Sequence, residues 1–211
     1  MIVIINPNST ASMTEAMLAT ARQTAPDAVI EGWTSCEGPP AIEGPEDGEA
    51  SVPPLLVLVK KASDQGATAI IIGCFDDTGL DEARNISACP VVGIGQAAYH
   101  LAALAGARFS VVTTLEVSIQ TLEENIRRYG LMGQLARVRA SKVPVLELET
   151  DPEASRAKVL DEVARAATQD EVQSVILGCA GMVDLHGLRI SGKSVLLIDG
   201  VRAATKICTL F

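Results

Sequence analysis

Short apolar runs punctuate this chain at regular intervals, and each run stops at a small or polar residue. Ile2 to Ile5 run into Asn6-Pro7-Asn8-Ser9-Thr10, Ala69 to Ile72 into Gly73-Cys74, and Val175 to Leu177 into Gly178-Cys179. Runs this short, bounded by Gly, Asn and Asp, predict buried strands whose last residues reach an exposed sheet edge. Taken in order, the pattern predicts a strand at 2–5 and then a helix capped by Ser9, Thr10 or Ser12, with Met13, Met17, Leu18 and Ala21 on its apolar face. A strand at 28–34 follows, then a loop from Cys36 to Gly48, too rich in Pro, Gly and acid for an element. A helix over 53–65 carries Pro53 and Pro54 in its first turn, where proline is tolerated. Next come the Cys74 strand, a short helix over 81–87 capped by Asp76 or Asp77, a strand over 90–95, and a helix over 97–105 that Gly106 ends.

The pattern then restarts. A strand at 108–112 runs into Thr113-Thr114, as the first strand runs into Asn6-Pro7-Asn8. A helix over 116–129, a strand near 136–140 and a helix over 152–168 with Asp151 as N-cap follow. The Cys179 strand, a strand over 194–200 and a helix over 201–209 complete the series. Cys74 and Cys179 lie 105 positions apart, and GIGQAA (93–98) matches DGVRAA (199–204) at a similar offset. We read an internal duplication of one βα series. Alternating strands and helices predict parallel sheets with helices on both faces. The fold class expected is therefore α/β, with two similar parallel-sheet domains related by a pseudo-twofold and a cleft between them. Residues 1–96 plus 200–211 are assigned to the first domain and 97–199 to the second. Ligands of such sheets bind beyond the carboxyl ends of the strands, where Asn8, Cys74, Thr113 and Cys179 all fall.

Composition narrows the chemistry. The chain has 211 residues, 48% of them hydrophobic, ample for a real core, and no run approaches a membrane span. A net charge of −9 leaves no basic stripe to neutralise phosphates, which argues against nucleic acid. The first residues lack a basic segment and a cleavage site, so they read as a strand and not as a signal peptide. Five scattered cysteines without an export signal favour a reducing cytoplasm over a disulfide framework. No CxxC occurs and the two histidines, His100 and His186, stand apart, so no metal is expected. The expected partner is a small-molecule substrate, with no membrane or nucleic acid, and the chain is expected to form a homo-oligomer.

A lone strand-end cysteine is more often packing than catalysis. Two that recur after glycine at the same strand end of both halves are different. A thiol's reference pKa lies near working pH, and the amide groups at a helix start favour the thiolate. One thiolate and one thiol on opposite faces of a substrate can remove a proton on one side and return one on the other, inverting a carbon centre. Backbone N–H groups at 75–79 and 180–182 are candidates to hold the developing enolate oxygen, with Gly73, Gly178, Ala180 and Gly181 small enough for close approach. Cys36, Cys89 and Cys208 have no such counterpart and read as structural, and so does His100. His186 is a candidate pocket wall, and Asp199 either a ligand contact or a brace between loops.

At these motifs the sequence resembles the Asp/Glu/hydantoin racemase superfamily, and within it the hydantoin racemase branch that includes allantoin racemases. The matching residues are INPNST (5–10), GP with IE (38–43), CFDDTGL (74–80), PVVGIGQAA (90–98), FSVVTT (109–114), LGCAGM (177–182) and IDGV (198–201). The resemblance implies two flavodoxin-like domains and a cofactor-independent racemase with Cys74 and Cys179 flanking the reacting carbon. It also implies a cleft lined by Asn8, Ile42, Phe75, Asp76, Thr113, Gly178, Ala180, Gly181 and Met182. Glutamate and aspartate racemases usually carry Asn-Thr after the first cysteine and Thr after the second; Phe75-Asp76 and Ala180-Gly181 stand here. That disfavours a free amino acid and favours a neutral hydantoin ring. Many hydantoin racemases carry Gly-Asp-Pro after the Phe, where this chain has Asp76-Asp77-Thr78. The rival readings are other reactions of the superfamily (maleate isomerisation, arylmalonate decarboxylation, aspartate or glutamate racemisation) and a non-catalytic small-molecule binding protein.

Overall fold

The computed structural model describes residues 1–106, 108–185 and 195–211. Among the described residues eight strands form two four-stranded sheets, and each pairing is parallel. The first sheet has the order β2-β1-β3-β4, built from β1 (Ile2–Asn6), β2 (Ile30–Thr34), β3 (Ala69–Ile72) and β4 (Val91–Gly93). The second repeats that order as β6-β5-β7-β8, from β5 (Phe109–Thr113), β6 (Leu135–Ala140), β7 (Ser174–Leu177) and β8 (Leu196–Asp199). The register repeats as well. Ile5 pairs with Ile72 and Ile72 with Gly93, as Val112 pairs with Leu177 and Leu177 with Asp199. The two halves thus share one topology, as the duplicated pattern requires.

Both faces of each sheet are buried, so the strands read as continuous apolar runs. The period of two still sorts their side chains. Ile2, Ile4, Ala69, Ile71, Phe109, Val111, Ile176 and Ile198 point into one core shared by the two sheets. Val3, Ile5, Ile70 and Ile72 point away, under the helices α2 (Pro45–Asp64) and α3 (Leu80–Ile86). Val112, Val175, Leu177 and Leu197 do the same in the second half, against α7 (Pro152–Gln169).

The shared core is filled by α1 (Ala11–Thr24), α4 (Ile94–Leu104), α5 (Val117–Arg128) and α8 (Gly200–Cys208). β4 passes straight into α4 and β8 straight into α8, without a loop. α4 lies against β7 and β8 of the second sheet, α8 against β3 and β4 of the first, and the two helices pack on each other. Their first turns nearly touch: a Cβ at Gly200 would stand 2.6 Å from the Ile94 carbonyl oxygen. Only glycine permits that approach.

The structure corrects several local expectations. α2 begins at Pro45, so the segment read as loop up to Gly48 is a helix start, and Pro53 and Pro54 lie inside the helix. The residues that suggested a loop are those a helix N-terminus favours: Pro45 in the first turn, then Glu46 and Asp47 facing the positive end of the dipole. Asp47 also accepts from the Glu43 amide at 2.9 Å. The carbonyls orphaned by Pro53 and Pro54 belong to Glu49 and Ala50, whose exposure lets water serve them. Of Ser9, Thr10 and Ser12, Thr10 takes the N-cap position of α1, but its hydroxyl makes no bond to the first turn and donates to the Pro40 carbonyl instead, at 2.7 Å. The expected strand 90–95 ends at Gly93 because the helix takes over at Ile94. A short helix, α6 (Glu147–Thr150), precedes α7 and carried no sequence signal; Asp151 caps α7 as expected. No described helix is long and apolar enough to cross a membrane.

Candidate active site

The two cysteine turns are built alike. Beyond the end of β3 the Gly73 amide donates to the Ile5 carbonyl at 2.8 Å, and beyond β7 the Gly178 amide donates to Val112, also at 2.8 Å. Each glycine adds one rung to the ladder before the chain turns across the end of the central strand. A Cβ at Gly73 would stand 2.6 Å from Met17 Sδ and 3.2 Å from the Ile5 oxygen; one at Gly178 would stand 2.9 Å from the Val112 oxygen. These glycines let the turns lie flat on their neighbours. Cys74 and Cys179 come next, and both line one cavity at the carboxyl ends of the sheets, the position expected of ligand sites in parallel sheets.

Of the residues singled out beforehand, Asn8, Ile42, Phe75, Asp76, Thr113, Gly178, Ala180 and Gly181 line that cavity with the two cysteines. Asn8 shapes the turn after β1: its Oδ1 accepts from Asn6 Nδ2 at 2.8 Å and from the Thr10 amide at 3.0 Å. Thr113 donates to the Gly178 carbonyl at 3.2 Å, tying the end of β5 to the Cys179 turn. Phe75 meets the buried Tyr99 edge-on at 5.4 Å. Met182 is not among the residues that line the cavity. Its side chain is buried in the core behind the second sheet, because the 3₁₀ turn Ala180–Leu185 carries it past the opening. Gly73, Asn6, Met13, Met17, Thr114, Ser118 and Val145 complete the described lining. Met13 and Met17 were recognisable only as an apolar helix face. Val145 sits in a connection without periodicity, and nothing in the sequence marked it.

Contacts between residues far apart in sequence close the rim. Glu43 accepts from the Val145 amide at 2.6 Å, and Ser12 bonds Glu149. Asn125 Nδ2 donates to the Asp76 carbonyl at 2.7 Å, and Arg128 pairs with Asp81 at 2.6 Å. Asp77 forms the densest contact. It is buried with a left-handed φ of 51° and accepts from the Gly95 amide at 3.0 Å, the Gln96 amide at 2.7 Å and the Tyr129 hydroxyl at 2.9 Å. Asp77 therefore caps α4 and not α3, whose N-cap is Gly79. In the second half Asp199, at the position matching Gly93, caps α8 through the Arg202 amide at 3.1 Å. A Cβ at Gly93 would collide with the Asp77 carboxylate. The same helix end is thus capped from a different place in each half.

Burial sets the ionisation. It pushes the Cys74 thiol well above the ordinary thiol range, the nearby charges of Asp76 and Asp77 push it further, and hydrogen bonds from Thr78 and the Asp76 amide oppose the rise. Burial pushes Cys179 up to about 11, with the charges of Asp76 and Glu43 adding to it and the Gly181 amide opposing. Both shifts favour the neutral thiol at neutral pH. This corrects the expectation that helix-start amides would favour a thiolate: desolvation outweighs them. Burial also raises the carboxyls, Asp76 to about 6 and Asp77 to about 7. Among the described residues no Lys, Arg or His lines the cavity, and no cluster of His, Cys, Asp or Glu could hold a metal ion.

The other cysteines take no part: Cys36 is exposed and Cys208 is buried in the shared core. His100 Nδ1 lies 2.8 Å from the Gln96 carbonyl, and its ring packs on Tyr129. His186 lies outside the described residues.

A family model described as Asp/Glu/Hydantoin racemase matches residues 2–208. The hydantoin racemase of Rhizobium meliloti is 40% identical over 205 residues, covering 97% of this chain and 85% of the relative. That of Pseudomonas sp. (strain NS671) is 36% identical over 206 residues, covering 97% and 83%. Among solved structures, allantoin racemase from Klebsiella pneumoniae superposes with a TM-score of 0.94 at 36% identity, covering 99% of this chain and 86% of that one. Unliganded arylmalonate decarboxylase shares the fold alone, at 16% identity and a TM-score of 0.71 over 99% of this chain and 90% of that one.

Proposed function

Because the chain belongs to the Asp/Glu/hydantoin racemase family, we propose that it racemises 5-substituted hydantoins, allantoin among them, using Cys74 and Cys179 as paired acid and base. That it is a racemase-type isomerase follows from relatives that cover almost all of it. The two-thiol mechanism and the ring substrate are our reading. One observation carries it: two cysteines from matching turns of the two halves line a single cavity.

In this mechanism one thiol, ionised, takes the proton from C5, which the neighbouring ring carbonyl acidifies. The negative charge moves to that carbonyl oxygen, where backbone N–H groups of the two cysteine turns receive it. The opposite thiol then delivers a proton to the other face. The enzyme is left with the two protonation states exchanged, and no cofactor enters the balance. Thiols that are neutral at rest suit the donor half of this cycle; the base half requires one of them to ionise.

The electrostatics favour a neutral ring over the family's acidic substrates. Asp76 and Glu43 already act on the thiols, and the described lining holds no cation. Two like charges 5 Å apart repel by about 3 kcal/mol at the effective dielectric of a protein site. Aspartate, glutamate and maleate each bring carboxylates to this lining. The test is polarimetry on single enantiomers of 5-benzylhydantoin, allantoin, aspartate and glutamate, with maleate followed by absorbance. Decay of rotation on a hydantoin with none on the acids supports the reading; turnover of the acids alone sinks it.

A further inference from the structure

Among the described residues Asp76 is the one carboxylate that lines the cavity, and its surroundings differ from those of its neighbour. Asp77 receives three donors, whereas no donor among the described residues reaches the side chain of Asp76. Its main chain is fixed on the carboxyl side. Asn125 holds its carbonyl at 2.7 Å, and Asp77 beyond it is locked by the α4 cap. Its charge raises the pKa of both Cys74 and Cys179, which puts the carboxylate within electrostatic reach of the thiols from both halves. An acceptor-only group, half-buried and without internal donors, is satisfied by N–H groups of the ligand and opposed by a ligand's negative charge.

From this we infer that Asp76 is the specificity-determining residue of the cleft: it accepts N–H donors of the C5 substituent and rejects anionic substituents. The substrate class is then hydantoins with a donor-bearing C5 group, of which a ureido group is the simplest. Substrates whose C5 group carries a carboxylate are excluded. This deepens the racemase reading and rests on it. A site that pairs with substrate N–H groups discriminates strongly against substrates lacking them, because the protein acceptor is then left buried and alone.

The experiment measures kcat and KM of the wild-type chain and of Asp76→Asn and Asp76→Gly on three rings: allantoin, 5-benzylhydantoin and hydantoin-5-acetic acid. Neither variant touches the Asp76 carbonyl that Asn125 holds, and thermal melts verify folding. Wild type is expected to prefer allantoin to the acetate by at least a hundredfold in kcat/KM. Loss of the Asp76 charge lowers both thiol pKa values and so shifts all three rings together; beyond that common shift, Asp76→Gly should lower the allantoin-to-benzylhydantoin ratio of kcat/KM at least tenfold and raise the acetate-to-benzylhydantoin ratio at least tenfold. Asp76→Asn, which keeps an acceptor but loses the charge, should improve the acetate while losing less on allantoin. A merely structural role would lower all three rings together. Equal effects on all three, or an unchanged allantoin-to-acetate ratio, overturns the assignment while leaving the racemase reading in place. A folded wild-type chain that racemises none of the three overturns both.

Discussion

Raising the pH should accelerate this enzyme steeply, and the size of the effect follows from burial. The reacting form of the free enzyme carries one proton on the pair of thiols. The more acidic of the two, Cys179, is pushed up to about 11, and Cys74 lies higher still. At pH 7 the thiolate is four units below half-ionisation, so about one molecule in 10⁴ holds it, a deficit of about 5 kcal/mol at 1.36 kcal/mol per unit. The sign is unambiguous, since a base whose pKa is raised is less ionised at neutral pH and gains tenfold for each unit of alkali. We expect log kcat/KM on 5-benzylhydantoin to rise with a slope near one from pH 6.5 to 8.5, about a hundredfold in all. Asp76, near 6, ionises below that window; Asp77, near 7, ionises inside it, but its charge acts on Cys74 and not on the more acidic Cys179, so the slope is kept. Polarimetric initial rates measure it, with alkaline racemisation by the Cys74→Ser/Cys179→Ser double variant subtracted. Because the two sites interact, the limb reports the pair and not one residue. A profile that is flat or falling between pH 6.5 and 8.5 would refute the reasoning, since it would mean that a base other than a desolvated thiol is at work.

Further outcomes follow from the scaffold. Gly178→Ala drives a Cβ to 2.9 Å from a backbone oxygen of the central strand, whereas at Gly73 the closest clash is with the movable end of Met17. Overpacking of about 1–3 kcal/mol is expected at Gly178 and less at Gly73, with the larger fall in kcat at Gly178, as thermal melts and kinetics would reveal. Asp77→Ala removes the α4 cap and the acceptor of Tyr129 while leaving a non-glycine residue at positive φ. Its cost should be about 3–5 kcal/mol, a drop of about 10 °C or more in Tm, and Asp77→Asn should retain part of it. Arg139, buried against Asp170 at 2.6 Å and Glu162 at 2.9 Å, should cost about 3–5 kcal/mol as Arg139→Ala without altering the pH profile of the surviving activity.

The strands and the duplication were legible because both depend on local patterns that tertiary packing reinforces. Ile2 to Ile5 and Ala69 to Ile72 are apolar on both sides because each face of their sheet is covered, and the Gly-Cys ends repeat because the same turn crosses the same strand end twice. What failed to show depended on partners distant in sequence. The start of α2 was hidden because Pro, Gly and acid serve a loop and a helix N-terminus equally well. Asp77 was read as a cap for the next helix, yet it serves one beginning at Ile94, across an intervening strand. Val145 joins the lining only because Glu43, from the other half, holds its amide. The amides that lower the thiol pKa are visible in sequence, whereas the desolvation that outweighs them is not. Met182 looked like part of the second cysteine motif, but the turn geometry that buries it is not written in LGCAGM.

The most direct test of two opposed thiols is exchange of the C5 hydrogen with solvent. Wild type, Cys74→Ser and Cys179→Ser would each be incubated in deuterated buffer with single enantiomers of 5-benzylhydantoin and allantoin. Proton NMR reads loss of the C5–H signal and polarimetry reads rotation. The account predicts that wild-type rotation decays with deuterium entering the product, and that each variant racemises about 10³-fold more slowly. Exchange without inversion that survives in one variant, for one enantiomer only, assigns that enantiomer's face to the remaining thiol. Inversion at wild-type rate in either variant, or inversion by wild type without deuterium uptake, would contradict the two-thiol account.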